Sequence, residues 1–395
     1  MAIYDFESKV ERPESIKWAN MRKACPEAEG DVIPLSTADM EFKMAPEIVQ
    51  GLQEYLDHAV LGYSKPSDDY WQAVMEWMDE RHGFQFDPSW TTIVSGVVPA
   101  LYQAVKSFSA PGDSVVVMSP VYFPFYSAIE RSGRKIVNCP LKLQGDRYVM
   151  DLELLSELTA GRDNKLVLFC SPHNPVGRVW ELGELEALAE IVIRNELIIV
   201  SDEIHHDIIM PGYKHIVLQT LSEELAERVI TCTAPTKTFN LAGLAISNII
   251  IKNPELREKY CATLANSGFH GSTILSYKGC ELAYSKCGAW LNELMQVITE
   301  NEKVARDFFA ERCPEVWIAP LEGTYLLWLD FNCLGMTGKE LSEFMIKEAK
   351  FIANDGFIFG ESGQGFIRIN LALPTEALTI QLQRLYRAMT RKGLV

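Results

Sequence analysis

The stretch TCTAPTKTFNLAGLAISNIIIK fills residues 231–252 and brackets Lys237 between two threonines, with apolar runs on either side. A lysine ordinarily keeps its ammonium in water. One set between two runs of Val, Ile and Leu is either a solvated turn residue or a group with chemistry to do. The flanks settle the local structure first. RVITCTAP (228–235) and ISNIIIK (246–252) are short and almost continuously apolar, the pattern of strands buried on both faces.

The same pattern recurs outward from that point. DSVVVMSP (113–120), RKIVNCPL (134–141), KLVLFCSPHNP (165–175) and LIIVSDEI (197–204) each read as a strand closed by a turn. Between them, segments such as PEIVQGLQEYL (46–56) and ELGELEALAEIVIRN (181–195) have helical periodicity. Apolar strands alternating with amphipathic helices predict an α/β fold with a mostly parallel sheet covered on both faces. After about residue 290 the pattern changes. A long helical stretch (289–312) precedes GTYLLWLDF (323–331) and GFIRINLAL (365–373). A last helix follows at Thr375, with Leu378, Leu382, Leu385 and Met389 on one stripe. We therefore expect an N-terminal arm with part of a small domain (1–45), a large domain (46–288) and a small α+β domain (289–395).

Bulk properties narrow the function. The length of 395 residues suits two domains. The formal charge of −16, from 53 acids against 37 bases, argues against nucleic acid as the main partner. Nine cysteines are dispersed, and Cys280 and Cys287, seven apart, fit no usual zinc spacing, so no metal is expected. Dispersed thiols, an N-terminus without a hydrophobic leader pattern, and apolar runs too short for a membrane span point to a cytoplasmic protein.

In open parallel sheets, ligands bind beyond the carboxyl ends of the strands. The residues just beyond those ends are Asn174, Asp202 with His205, Thr236 with Lys237, SGVVPA (95–100) opening a helix, and Tyr122 within SPVYFPFY. Taken singly, each has an ordinary reading. Asp202 caps a turn, Asn174 before proline is a turn residue, Tyr122 packs and Lys237 is solvated. Taken together, they supply an amine, a carboxylate, an amide, an aromatic face and a helix N-terminus that favours an anion at Gly96, Val97 and Val98.

SPHNPVGRVW (171–180), SDEIHHDI (201–208) and TKTFNLAGL (236–244), in that order, resemble pyridoxal-phosphate enzymes of fold type I, the aminotransferase superfamily. ADMEF (38–42), GYSKPSDDYWQAVMEWMDERHG (62–83), SGVVPAL (95–101) and PVYFPF (120–125) are similar to its cystathionine β-lyase-like branch. The resemblance covers nearly the whole chain. It implies a seven-stranded type of mostly parallel sheet, a smaller α+β domain and pyridoxal 5'-phosphate as cofactor. Lys237 would form the Schiff base with the cofactor aldehyde and then act as general base. Asp202 would pair with the pyridinium nitrogen, Asn174 and His205 would reach the ring oxygen, and Tyr122 would stack on the ring. Gly96, Val97, Val98 and Thr236 would hold the phosphate. Arg368 would clamp the substrate carboxylate, with Asp39 and Asn174 also at the substrate. Tyr63 would reach the phosphate of a second subunit, which implies a homodimer with shared sites. The chain departs from many relatives at Ala245, where an arginine is common, and at Ser36 and Thr37, near the expected substrate entrance.

Three functions compete on this reading. A carbon–sulfur β-lyase would convert cystathionine or another S-substituted cysteine to pyruvate, ammonia and a thiol. An aminotransferase would use the same residues with a keto-acid partner. A binding protein would keep the scaffold without chemistry, against which the intact Lys237, Asp202, Asn174 and Arg368 speak. A dinucleotide enzyme is set aside, because GESGQG (360–365) does not have the glycine spacing of that fingerprint.

Overall fold

The computed structural model describes residues 3–28, 30–161, 165–269 and 271–395. Among the described residues, thirteen strands are numbered in chain order. They are β1 (Thr91–Val94), β2 (Ser114–Val117), β3 (Lys135–Asn138), β4 (Lys142–Gln144), β5 (Arg147–Val149), β6 (Leu166–Cys170), β7 (Ile198–Asp202), β8 (Val229–Thr233), β9 (Ser247–Ile251), β10 (Trp317–Ile318), β11 (Leu326–Asp330), β12 (Asn354–Asp355) and β13 (Phe366–Asn370).

The main sheet has seven strands in the order β1-β9-β8-β7-β6-β2-β3. Parallel pairing joins β3 to β2, β2 to β6, β6 to β7 and β7 to β8. Only β9 runs against its neighbours β1 and β8 in this sheet. Its reversal follows from its connection. The segment between β8 and β9 holds only short helical turns, so the chain returns directly beside the strand it left. Every residue of β6, β8 and β9 is buried, as expected where helices cover both faces.

Local sequence explains the helices that matter for the site. Helix Val97–Phe108 begins at Gly96, whose φ of 126° a side chain rarely adopts, and no side chain caps it. Helix Asp68–His82 is capped by Ser67, carries Asp68 and Asp69 in its first turn and Arg81 and His82 in its last, and ends on Gly83. Helix Leu182–Arg194 starts with a reciprocal capping box between Glu181 and Glu184.

The second sheet is antiparallel, in the order β10-β11-β13-β12. Its register puts Arg368 of β13 opposite Trp328 and Asn354, in the middle of the sheet. The closing helix, Thr375–Lys392, buries Leu378, Leu382, Leu385 and Met389, and it begins at Thr375 itself, just after Pro374. The expected α/β architecture, a mostly parallel seven-stranded sheet flanked by helices, is the one observed.

A buried ion network joins the two sheets. Glu322, just before β11, accepts from Arg178 Nε at 2.8 Å, Arg147 Nε at 2.5 Å and the Val179 amide at 2.8 Å. It thereby fixes the loop that follows β6. Because Arg178 is itself buried, removing the carboxylate leaves a guanidinium with only Glu184 to pair it. Glu322→Gln should cost about 3 kcal/mol, whereas Lys303→Ala, on an exposed helical pair, should change stability by less than about 0.5 kcal/mol. Thermal unfolding of the two variants beside the parent protein checks both values.

Candidate active site

Because β1, β2, β6, β7 and β8 share one direction, their carboxyl ends meet at one rim. Asp202 is the last residue of β7, and Asn174 lies in the turn after β6. Lys237 sits on the single helical turn Pro235–Thr238 after β8. Gly96 follows β1, and Tyr122 follows β2. These residues, with Val97, Val98, His205 and Thr236, line one cavity of about 150 Å³. The strand-end set is therefore a single constellation.

Lys237 is largely withdrawn from solvent, and its Nζ donates to the Ala38 carbonyl at 2.7 Å. Its pKa falls to about 8. Burial is the main cause, and the positive charge of Arg368 adds to it while Asp39 opposes it. Asp202 moves the other way, up to about 7, because burial disfavours its carboxylate more than the Ile204 amide and the Lys237 charge favour it. Its Oδ1 accepts from that amide at 3.1 Å. A buried acid in this state matches a cationic ring nitrogen, whose charge would restore the carboxylate.

Asn174 accepts from Arg368 Nη1 through Oδ1 at 2.8 Å, which leaves its Nδ2 as the donor toward the cavity. Arg368 is 2% exposed. Its other contacts are the Ser36 carbonyl at 3.1 Å, Asn354 Oδ1 at 2.6 Å and the face of Phe359 at 4.8 Å. Its Nε has no partner, and no carboxylate pairs with it among the described residues. Burial lowers its pKa to about 10. A buried guanidinium held only by neutral oxygens is built for an incoming anion.

His205 is buried, its Nδ1 is unpartnered, and its ring meets the edge of Tyr325 at 5.9 Å. Burial pushes its pKa well below the usual value, so the ring is neutral. The helix N-terminus at Gly96 to Val98 has no side-chain cap and lines the cavity, so its first backbone N–H groups have no partner within the helix. An aldehyde-bearing phosphorylated pyridine fits these donors. It needs an amine with a lowered pKa, an acid for the ring nitrogen, donors for the ring oxygen and an anion cradle.

Three expected residues are not in the lining of this cavity: Arg368, which reaches it through Asn174, Asp39, and Tyr63, which was expected at a second subunit's phosphate. The Asp39 carboxylate is held by Arg12 at 2.6 Å and Lys17 at 3.4 Å, and it is the preceding residue, Ala38, that lines the cavity. Tyr63 is fully exposed and does not line the cavity. Conversely, sequence reading missed the Ala38 carbonyl, which accepts from both Lys237 and the Tyr325 hydroxyl at 3.1 Å. A main-chain carbonyl leaves no mark in side-chain identity. Ala245 does line the cavity, with a φ of 49°, so no arginine arrives from that position.

A family model described as aminotransferase class I and II matches residues 30–385. The crystal structure of cystalysin from Treponema denticola, which contains a pyridoxal 5'-phosphate cofactor, is 46% identical. It covers 99% of this chain and 100% of that one, with a TM-score of 0.98. Cystathionine beta-lyase PatB of Bacillus subtilis (strain 168) is 38% identical over 388 residues, which is 98% of this chain and all of the relative (100%). Protein MalY of Escherichia coli (strain K12) is 30% identical over 351 residues, 88% of this chain and 89% of that one.

The electrostatics make a direct prediction for the cofactor-free protein. The Lys237 amine should titrate near 8, against about 10.4 for an exposed lysine. Arg368→Met should move that midpoint upward, because it removes a neighbouring cation. Acylation of Lys237 followed by peptide mass spectrometry across pH reads both. A midpoint near 10 in the unsubstituted protein would contradict the assignment.

Proposed function

Since this chain belongs to the aminotransferase class I and II family, we propose that it is a pyridoxal-phosphate-dependent carbon–sulfur β-lyase. It would cleave L-cystathionine or related S-substituted cysteines to pyruvate, ammonia and a thiol. One observation carries the chemistry: Lys237, Asp202 and Asn174 meet in one cavity, and Asn174 is bonded to the buried Arg368, which has no carboxylate partner among the described residues. The direction of the chemistry is supported by the relatives. Cystathionine beta-lyase PatB matches along its whole length, and the cystalysin structure superposes almost completely.

When bound, pyridoxal 5'-phosphate supplies an aldehyde that condenses with amines and a ring that accepts the electrons of an α-carbanion. The chain's own residues then have separable tasks. Lys237 Nζ, with a pKa near ambient pH, accepts the substrate α-proton as general base. Asp202 would present its carboxylate to the ring nitrogen and keep that nitrogen protonated. Asn174 Nδ2 and the buried His205 would reach the ring oxygen, and Tyr122 would cover one ring face. Gly96, Val97 and Val98 at the helix N-terminus, with Thr236 from the turn after β8, would hold the phosphate. Arg368 offers a planar fork to the substrate carboxylate, which orients the α-hydrogen. Asp39 acts through its neighbours, since its charge opposes the lowering of the Lys237 pKa.

We also read the protein as a cytoplasmic homodimer, with an arm at 1–45 and domains at 46–288 and 289–395. Its nine cysteines are all free thiols. Among the described residues no helix is long and apolar enough to cross a membrane. Leu56, Val60, Leu61 and Tyr63 form an exposed apolar run that a second copy would cover, carrying Tyr63 to the partner's phosphate site.

Pyruvate and free thiol should appear from cystathionine or another S-substituted cysteine. Lys237→Ala should lower the rate on the order of 10²–10⁴-fold. Arg368→Lys should raise KM by roughly 10–100-fold, because a point charge replaces a bidentate fork. No pyruvate from any S-substituted cysteine, with rapid amino-group transfer to a keto acid instead, would establish the aminotransferase reading. Sedimentation at assay concentration should give a dimer, and a fully loaded monomer would remove Tyr63 from the site.

A further inference from the structure

A second cluster of titratable groups lies apart from the cavity that holds Lys237. His82 closes helix Asp68–His82, and His206 and Asp207 follow β7. Asp207 is buried and richly bonded. Its Oδ1 accepts from Trp77 Nε1 at 3.0 Å and lies 2.8 Å from His82 Nε2, and its Oδ2 accepts from the Thr238 hydroxyl at 2.7 Å.

His206 poses the problem that directs the inference. Its Nδ1 lies 2.6 Å from the Glu203 carbonyl. A carbonyl only accepts, so Nδ1 carries the hydrogen. In the neutral ring Nε2 is then a bare lone pair. That atom is buried, has no hydrogen-bond partner, and stands 3.2 Å from Asp207 Oδ2. Two acceptors thus face one another across a separation that a positive charge between them would make favourable.

We propose that His82, His206 and Asp207 form a binding site for a divalent transition-metal ion of the zinc class. The candidate ligand atoms all lie within 4.8 Å of one another. His82 Nε2 lies 2.8 Å from Asp207 Oδ1 and His206 Nε2 lies 3.2 Å from Oδ2, near the ligand-to-ligand spacing of about 3.0–3.4 Å set by bonds of about 2.1 Å, and the part-exposed His82 ring moves inward on binding to bring all three ligand atoms within about 4.2 Å of one another. Two imidazoles and one carboxylate suit zinc better than calcium or magnesium, which take oxygen ligands. The surroundings already hold the ligands in place. His206 Nδ1 donates to a main-chain carbonyl, and Trp77 and Thr238 orient the carboxylate. His82 is the part-exposed member. Moving its ring proton to Nδ1 frees Nε2 for the ion.

Access comes from a cavity of about 370 Å³ bordered by His82, His206, Asp207 and His215, from which a water can complete the shell. His215 is held by Glu203 at 2.8 Å and stays outside the set. Bound there, the ion joins the end of the Asp68–His82 helix to the turn after β7. Through Thr238 it also braces the turn that carries Lys237. Its role is to stabilise this corner, and it takes no part in the reaction. The inference does not depend on which reaction the protein catalyses.

The test uses full-length, cofactor-loaded protein stripped with a chelator and titrated with Zn²⁺ alone against a chelating dye. One ion per chain and a raised unfolding temperature are expected. Cys333→Ser, which removes an exposed thiol, should leave both unchanged, and His82→Gln should weaken binding at least tenfold. Anomalous diffraction at the zinc edge should place the ion between His82, His206 and Asp207. Absence of binding, unchanged affinity in His82→Gln, or an anomalous peak elsewhere would overturn the proposal. If His82→Gln fails to fold, the anomalous map of the unsubstituted protein decides it.

Discussion

The shared direction of five strands is the constraint on which the rest of this structure depends. Because β1, β2, β6, β7 and β8 end at the same rim, an amine, an acid, an amide, an aromatic ring and a helix N-terminus are delivered to one place by chain segments far apart in sequence. The reversed β9 preserves this arrangement. Running antiparallel to both β1 and β8, it lets those two strands stay parallel to each other. A sheet of alternating direction would send half of these groups to the opposite edge.

Burial then gives the groups their chemistry. Withdrawal from water lowers the Lys237 and Arg368 pKa values and raises that of Asp202. Each of these groups is therefore pushed toward its neutral form and gains from an oppositely charged ligand. The same low-dielectric setting surrounds Asp207, but there burial is offset by hydrogen bonds to the carboxylate from the Trp77 indole, the Thr238 hydroxyl and His82. Two buried acids five residues apart in sequence thus sit among very different neighbours. Asp202 accepts one amide hydrogen bond, whereas Asp207 is ringed by hydrogen-bond donors and histidines.

Much of this was legible in the residues. The apolar runs ending in Asn174, Asp202 and Lys237 are short and continuous, so their type and their boundaries are set by local hydrophobicity and turn residues. The uncapped start at Gly96 follows from a glycine before a helix. Other features could not be read. The Asp39 carboxylate belongs to an ion cluster with Arg12, Lys17 and Glu41, and the useful atom in its motif is the carbonyl of Ala38. The pairing of His82 with Asp207 spans 125 positions, and nothing in their spacing suggests a meeting.

By itself, then, the sequence determined the alternation of strands and helices, the α/β class and the polar residues that end each strand. Periodicity and turn chemistry act over a few residues, and those features are equally local. Only the tertiary structure decided which of the polar groups are buried, which carry a proton and which face a lone pair. Those properties depend on distances between segments and on the exclusion of water, and both arise when the two sheets and their helices pack together.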